Sequence, residues 1–211
     1  MYVPGHFEET RMEVLHNLIK SHPLGTLITL CEGEIVANHV PFILDQSGGD
    51  SGTLKCHVAK SNPVWKLMSE DLNSLVIFQG PDAYISPSWY PSKFPHGKAV
   101  PTWNYIVVHA RGVPTITDDS DWLLNHVCEL SEIHESSRAI PWKVSDAPIE
   151  YIEKMVGAIV GIEIPIMVLT GKWKLSQNRP QVDQVGVVAG LESEGGDWAA
   201  AMSQLMQEIG N

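Results

Sequence analysis

The chain has 211 residues, enough to bury a sizeable core, with a hydrophobic fraction of 44% and a formal charge of −11. A mean hydropathy of −0.04 is that of an ordinary soluble globular chain. The acidic balance works against nucleic-acid binding, because phosphate contacts need clustered Lys and Arg. No apolar run is long enough to cross a bilayer, and the opening MYVPGHFEETR has no signal-peptide core, so a cytoplasmic location is expected. Cys31, Cys56 and Cys128 form no C-x-x-C pair. They suggest neither a disulfide framework nor a zinc site, and each reads as a small buried hydrophobe.

Taken in chain order, YVPGHF reads as an extended arm. A helix is predicted from Glu9 or Thr10 to about Ser21, with Met12, Leu15, Leu18 and Ile19 on one face and Pro23 as its stop. The period then changes to that of strands. LGTLITLC is followed by an EGE turn and by EIVANHVPFILD, predicted as one long strand. QSGGDSG is a polar connection, and TLKCHVA is a third strand. SNPVWKLM reads as a short helix with Ser61 or Asn62 at its N-cap and Pro63 at its first position. Leu72 to Gly80 is a fourth strand, apolar enough to be central, and Thr102 to Ile116 is a fifth. Thr117 to Asp121 caps a helix whose face carries Trp122, Leu123, Val127, Leu130 and Ile133. Another helix is predicted at IEYIEKMVGA. AIVGIEIPIMVLTGKWKLS, broken by Pro165, is one bent strand or two, and the tail from Pro180 reads as two short helices around a Gly-rich link.

Successive strands with single helices between them predict a mainly β, antiparallel sheet or barrel with helical covers. G-x-G-x-x-G, P-loop, H-E-x-x-H and G-x-S-x-G patterns do not occur in the sequence, which removes the dinucleotide, P-loop and hydrolase readings they carry. Between the fourth and fifth strands, Pro81 to Pro101 is rich in proline and holds Tyr84, Trp89, Tyr90 and Phe94. Proline stiffens the chain and aromatic rings bring apolar area. An ordered flap is therefore predicted, either shaping a binding site or covering a partner surface; the alternative is a plug for the end of a sheet.

Three clusters could carry chemistry. Asn38-His39-Val40-Pro41 puts Asn38 and Val40 on one strand face and His39 on the other. Such polar residues in an apolar strand need partners, whether a ligand or a loop. His57-Val58-Ala59-Lys60-Ser61-Asn62-Pro63 lies at a strand-to-helix junction, where Lys60, Asn62 and free N–H groups suit a phosphate; simple capping would explain Asn62 alone. Lys174-Leu175-Ser176-Gln177-Asn178-Arg179-Pro180 is a donor-rich junction after the last strand, a pattern that solvated strand ends also show.

PLGTL, ANHVPFILD, LKCHVAKSNPVW, VIFQGPDAYISPSWYPSK, VPTWNYIVVHARG and KLSQNRP occur in that order. Together they make the chain resemble the PaiB-type negative transcriptional regulator family of the FMN-binding split-barrel superfamily, from Tyr2 to about Gly190. The resemblance implies a six-stranded antiparallel split β-barrel (Greek key) with peripheral helices, in one domain over residues 1–211 with a helical tail from about 180. It also implies a homodimer with the flavin at the dimer interface. Carried over, Asn38, His39 and Val40 lie along the isoalloxazine, Cys56 and His57 near the ribityl chain, and Lys60 and Asn62 at the phosphate. Gln79 and Trp103-Asn104-Tyr105 approach the ring, and Arg179 comes from the partner chain. Other flavin-binding split barrels bring two or more cations to the phosphate, whereas one good cation, Lys60, is found here, so weak FMN binding is expected. Trp89, Tyr90 and Trp103 are the expected dimer anchors. Competing functions are a flavin-dependent oxidoreductase and a haem-binding protein using His39, His57 or His109. No helix shows the Lys/Arg pattern of a recognition helix, so a regulatory effect is expected to run through a partner or a metabolite.

Overall fold

The computed structural model describes residues 1–68, 73–95 and 97–209, the last without its side chain. Leu72, predicted to open the fourth strand, and the last two residues of the predicted tail lie outside the described residues. Two antiparallel sheets hold ten strands. The larger has the order β1 (Glu8–Glu9), β10 (Val168–Lys174), β7 (Thr102–Gly112), β6 (Ser74–Ile85), β2 (Leu24–Cys31), β3 (Glu34–Pro41). The smaller has the order β4 (Ile43–Asp45), β5 (Thr53–Ala59), β9 (Ile159–Pro165), β8 (Thr115–Thr117). Both sheets are open, and helices α1 (Met12–Ser21), α2 (Val64–Leu67), α3 (Ser120–Glu135), α4 (Ile149–Val156), α5 (Gln181–Glu194) and α6 (Asp197–Ile209) accompany them. This is the mainly β, split-barrel class that the sequence predicts.

Ten strands stand where six are expected: β1 is an added short strand, and three more arise because prolines cut the long β runs. EIVANHVPFILD is not one strand: β3 ends at Pro41, and β4 restarts at Ile43 in the other sheet. The run from Thr102 likewise stops at Gly112, and after Pro114 it continues as β8 in the smaller sheet. β9 ends at Pro165, and β10 begins at Val168 in the larger one. Proline has no N–H to give a ladder, so pairing ends there and the chain is free to change sheets. The second and third breaks meet. Met167 N donates to Arg111 O at 2.8 Å, and a Cβ on Gly112 would collide with the Pro165 carbonyl.

Contacts divide the chain into two compact units. The first gathers Met1–Leu18, Gln79–Val108 and Thr170–Asn211, and the second Ile19–Phe78 and His109–Leu169. In the second, Leu27, Leu54, Cys56, Val76, Phe78, Val160, Ile162 and Ile164 form a fully buried centre. Its helix α3 starts as predicted, with Asp119 Oδ1 accepting from Trp122 N at 2.7 Å. The buried face of α3 differs from the predicted one: it hides Leu123 and His126, while Ile133 stays exposed.

In the first unit the described residues of the flap take defined local structure, and His96 of the predicted stretch lies outside the described residues. β6 continues to Ile85, and 3-10 turns follow at Pro87–Trp89 and Pro91–Lys93. These turns sit on α5. Asp183, buried on its first turn, accepts from Ser92 N at 3.0 Å and from Ser92 Oγ at 2.7 Å. Gly186 lies against the Trp89 carbonyl and Pro91, and Gly190 lies beneath the Trp89 indole. These three α5 positions are one helical turn apart, so they share a face. Two of them need glycine because the flap backbone and the indole approach the helix that closely. Tyr90 is only 1% exposed, so it is consumed inside its own chain and cannot serve as an interface anchor; Trp103, 53% exposed, can.

Candidate functional site

The second unit holds most of the residues singled out from the sequence. Strand alternation turns Val40 inward and leaves His39 exposed. Asn38 lies on the Val40 side, and its Oδ1 accepts from Asn62 Nδ2 at 2.9 Å. Asn62 Oδ1 in turn accepts from Val64 N at 3.0 Å; Pro63, not Asn62, is the N-cap, and the Asn62 side chain ties the start of α2 to β3. The Asn38 Nδ2 atom is buried and has no acceptor. Leaving a buried donor unmade costs about 1–3 kcal/mol, so such an atom marks a place where an acceptor belongs.

Lys60 is differently placed from the free cation expected. Its Nζ lies 2.7 Å from Asp118 Oδ1, so a carboxylate already sits on the ammonium. The helix that follows is a single turn, too short to lend a useful dipole. Cys56 and His57 are neighbours on β5 and therefore face opposite sides. Cys56 is fully buried in the core, and that burial pushes its thiol up, away from thiolate. His57 turns towards α3, where its Nδ1 lies 3.1 Å from His126 Nε2. The His126 ring stacks on Trp122 at 5.0 Å, and Trp122 Nε1 donates to Glu163 Oε1 at 3.0 Å. Burial lowers the pKa of both imidazoles, and His126, beside His57 and Lys55, is brought down to about 4. Both rings are thus neutral near pH 7, and one donates an N–H to the other. Among the described residues there is no cluster of three His, Cys, Asp or Glu side chains fit to hold a metal.

The first unit holds the remaining candidates. Asn104 is fully buried and donates from Nδ2 to Ser176 Oγ at 3.0 Å, with Met206 Sδ 3.5 Å away. Trp103 meets Tyr84 edge-to-face at 6.0 Å, and the Tyr105 ring lies 5.2 Å from Lys172 Nζ. Trp103 and Tyr105 therefore share one side of β7 and Asn104 the other, so the three cannot act on one ligand face. Gln79 is exposed and donates to Asp82 Oδ2 at 3.1 Å. The Arg179 guanidinium lies 4.8 Å from the Tyr90 ring centroid. Residues that the sequence reading passed over are Asp118, taken as part of a cap signal, and His126, an imidazole in a face scored for apolar residues. Asp183 had no signal beyond its spacing on α5.

The family described as "Putative FMN-binding domain" matches residues 1–167. The chain belongs to this FMN-binding, PaiB-type family. The protease synthase and sporulation protein PAI 2 of Bacillus subtilis is 32% identical over 208 residues, covering 99% of this chain and 97% of its own. An uncharacterised protein of Emericella nidulans is 36% identical over 247 residues, covering 100% of this chain and 98% of its own. A solved structure, described as the FAD and heme binding protein from Mycobacterium smegmatis, shares the fold with a TM-score of 0.60 at 15% identity, covering 90% of this chain and 80% of that one. Within the PaiB-type chain, the matched range takes in Asn38 to Tyr105 and leaves out Arg179 and the whole KLSQNRP junction.

Proposed function

We propose that this protein binds FMN, with the isoalloxazine along β3 and Asn38 Nδ2 donating to one of the ring's carbonyl or nitrogen acceptors. The supporting observation is that buried donor without a partner, on the strand that the family resemblance sets along the ring. Asn62 holds the Asn38 carbonyl, which aims the free amide protons elsewhere. FMN, when bound, supplies the redox chemistry, and the chain supplies binding and orientation. We further propose a homodimer with the flavin at its interface, since Tyr84, Phe94 and Trp103 are exposed aromatics of one unit and monomers rarely leave such area bare. A regulatory role rests on the name of the Bacillus subtilis relative. With a charge of −11, that role would act through a partner or metabolite and not by direct DNA contact.

The test is a fluorescence titration of FMN into wild type, Asn38→Ala and Asp118→Asn at matched salt. Losing one neutral hydrogen bond weakens binding about two- to tenfold, which is the change expected for Asn38→Ala. If Lys60 serves the phosphate, Asp118→Asn frees it and tightens FMN, and Lys60→Ala weakens FMN. No quenching by the wild type would remove the flavin, and a stable monomer in sedimentation at micromolar concentration would remove the interface.

A further inference from the structure

Three cations of this acidic chain come together in the first unit without a carboxylate partner. The ion pairs among the described residues join Arg11 to Glu9, Lys55 to Asp45, Lys60 to Asp118 and Arg138 to Glu135, and none involves Lys172, Lys174 or Arg179. Lys174 Nζ donates to Thr102 Oγ1 at 2.6 Å and to the Trp103 carbonyl. An ammonium has three protons, so one remains to give. The Arg179 guanidinium lies 4.8 Å from the Tyr90 ring centroid, and its fork carries five N–H donors, more than one ring neighbour can occupy. The acid near Tyr90, Asp183, is committed to Ser92 N and Oγ. Burial lowers the Lys174 pKa, and the charges of Lys172 and Arg179 lower it further, so a bound anion would relieve that repulsion.

Lys174 and Arg179 border a cavity of about 80 Å³, with Phe7 and Thr102 beside them; Lys172 lies outside it. A cavity of this size holds several waters, so it has room for a group of a few atoms. Its inner wall is the Asn104–Ser176 pair, both nearly inaccessible and hydrogen-bonded to each other. The turn beyond is fixed in advance. Ser176 is held at φ 65°, and the Gln177 side chain accepts from Leu175 N at 2.7 Å and donates to Trp173 O at 2.6 Å. A left-handed non-glycine residue is a strained choice that the surroundings must enforce, and such strain gathers where ligands are gripped.

We propose that this pocket binds a phosphate-sized oxyanion, held by Lys174 and Arg179 against Ser176 and Asn178. Two adjacent cations, one with a planar fork of donors, match a phosphate dianion. The oxyanion is either the phosphate of FMN or that of a separate small phosphate compound. The inference does not rest on the flavin reading, and the FMN-domain match ends before these residues.

The probe is inorganic phosphate, titrated calorimetrically at constant ionic strength into wild type, Lys174→Met and Arg179→Gln. Arg179→Gln leaves the Thr102 and Trp103 contacts of Lys174 intact, so it remains informative if Lys174→Met folds poorly. Each substitution is expected to weaken phosphate binding roughly ten- to a hundredfold, the change on losing a charge-assisted hydrogen bond. The proposal is overturned if phosphate does not bind the wild type, or binds all three proteins equally. Parallel titrations with FMN and riboflavin identify the source. If both variants weaken FMN and leave riboflavin unchanged, the pocket holds the flavin's phosphate. If the variants lose phosphate and keep FMN, it holds a second, phosphorylated ligand. A wild type that binds phosphate and neither flavin removes the flavin reading while this one stands.

Discussion

The docking of the flap on α5 can be tested by a change of sign. An alanine at Gly190 would place its Cβ 2.5 Å from Trp89 Cγ and Cε2, about 1 Å inside the optimal carbon–carbon separation. Overpacking of this kind costs about 1–3 kcal/mol. The same substitution in a helix interior gains about 1 kcal/mol, because alanine has less backbone freedom to lose than glycine. The balance in the wild type is a loss of up to about 2 kcal/mol. In a Trp89→Ala background the clash is absent and only the helical gain remains, so Gly190→Ala becomes stabilising by about 1 kcal/mol. The four proteins of this cycle are compared by urea unfolding followed in the far-ultraviolet, with equal slopes as the check that only stability has changed. Hydrogen exchange of the α5 amides reads the same effect locally. A Gly190→Ala shift of the same sign and size in both backgrounds would refute the docked flap, because Trp89 could not then lie across Gly190.

Acid should weaken the second unit through its histidine pair. Folding takes His126 from about 6.5 down to about 4, so between those values the unfolded chain holds a proton that the folded chain does not. Stability is therefore full above about pH 6.5 and falls as pH drops towards 4, by on the order of 3 kcal/mol. His57, lowered by burial, acts in the same direction. Asp45, held at about 2 chiefly by Lys55 and then by Ser47, loses its contribution only in stronger acid. His126→Gln should flatten the fall of the melting temperature across pH 6.5 to 4; an unchanged slope would count against the buried pair. Asp183→Ala removes the acceptor of both Ser92 bonds, which leaves a backbone N–H unpaired at a cost of about 1–3 kcal/mol. Trypsin cleavage after Lys93 should then accelerate, and an unaltered rate would mean that Asp183 does not hold the flap.

Local chemistry made most elements legible. The start of α3 is readable because Asp119 stands before a helical period; the short helix after Asn62 is readable from its proline, although Pro63 takes the N-cap and the helix begins one residue later. The β runs were placed but wrongly joined at Pro41 and Pro114. Alternation continues across those prolines, so a period-two reading sees no break, whereas the missing N–H ends the ladder. The candidate site was legible as residue types and less so as arrangement. Asn38 and Asn62 were singled out separately, and their hydrogen bond spans 24 positions of sequence. Lys60 read as a free cation because its neutralising Asp118 arrives from a distant turn. His57 read as a ligand-facing group because its partner His126 was hidden in a helix face scored for apolar side chains. Each of these is a long-range pairing of polar groups, which no local pattern encodes.

The place of β3 in its sheet has a further consequence. It is outermost, paired with β2 alone, and its Ile35 is 79% exposed. A strand with an open side is a template on which another chain can add, the first step of aggregation. Glu34 stands at its entry and Pro41 at its exit, and a charge and a proline are two ordinary ways of discouraging such addition. Over the whole chain the net charge vanishes at about pH 5.2. Surplus acidity then works against edge-to-edge addition at β3 beyond any one specific interface, a role for the −11 charge separate from the choice of partner.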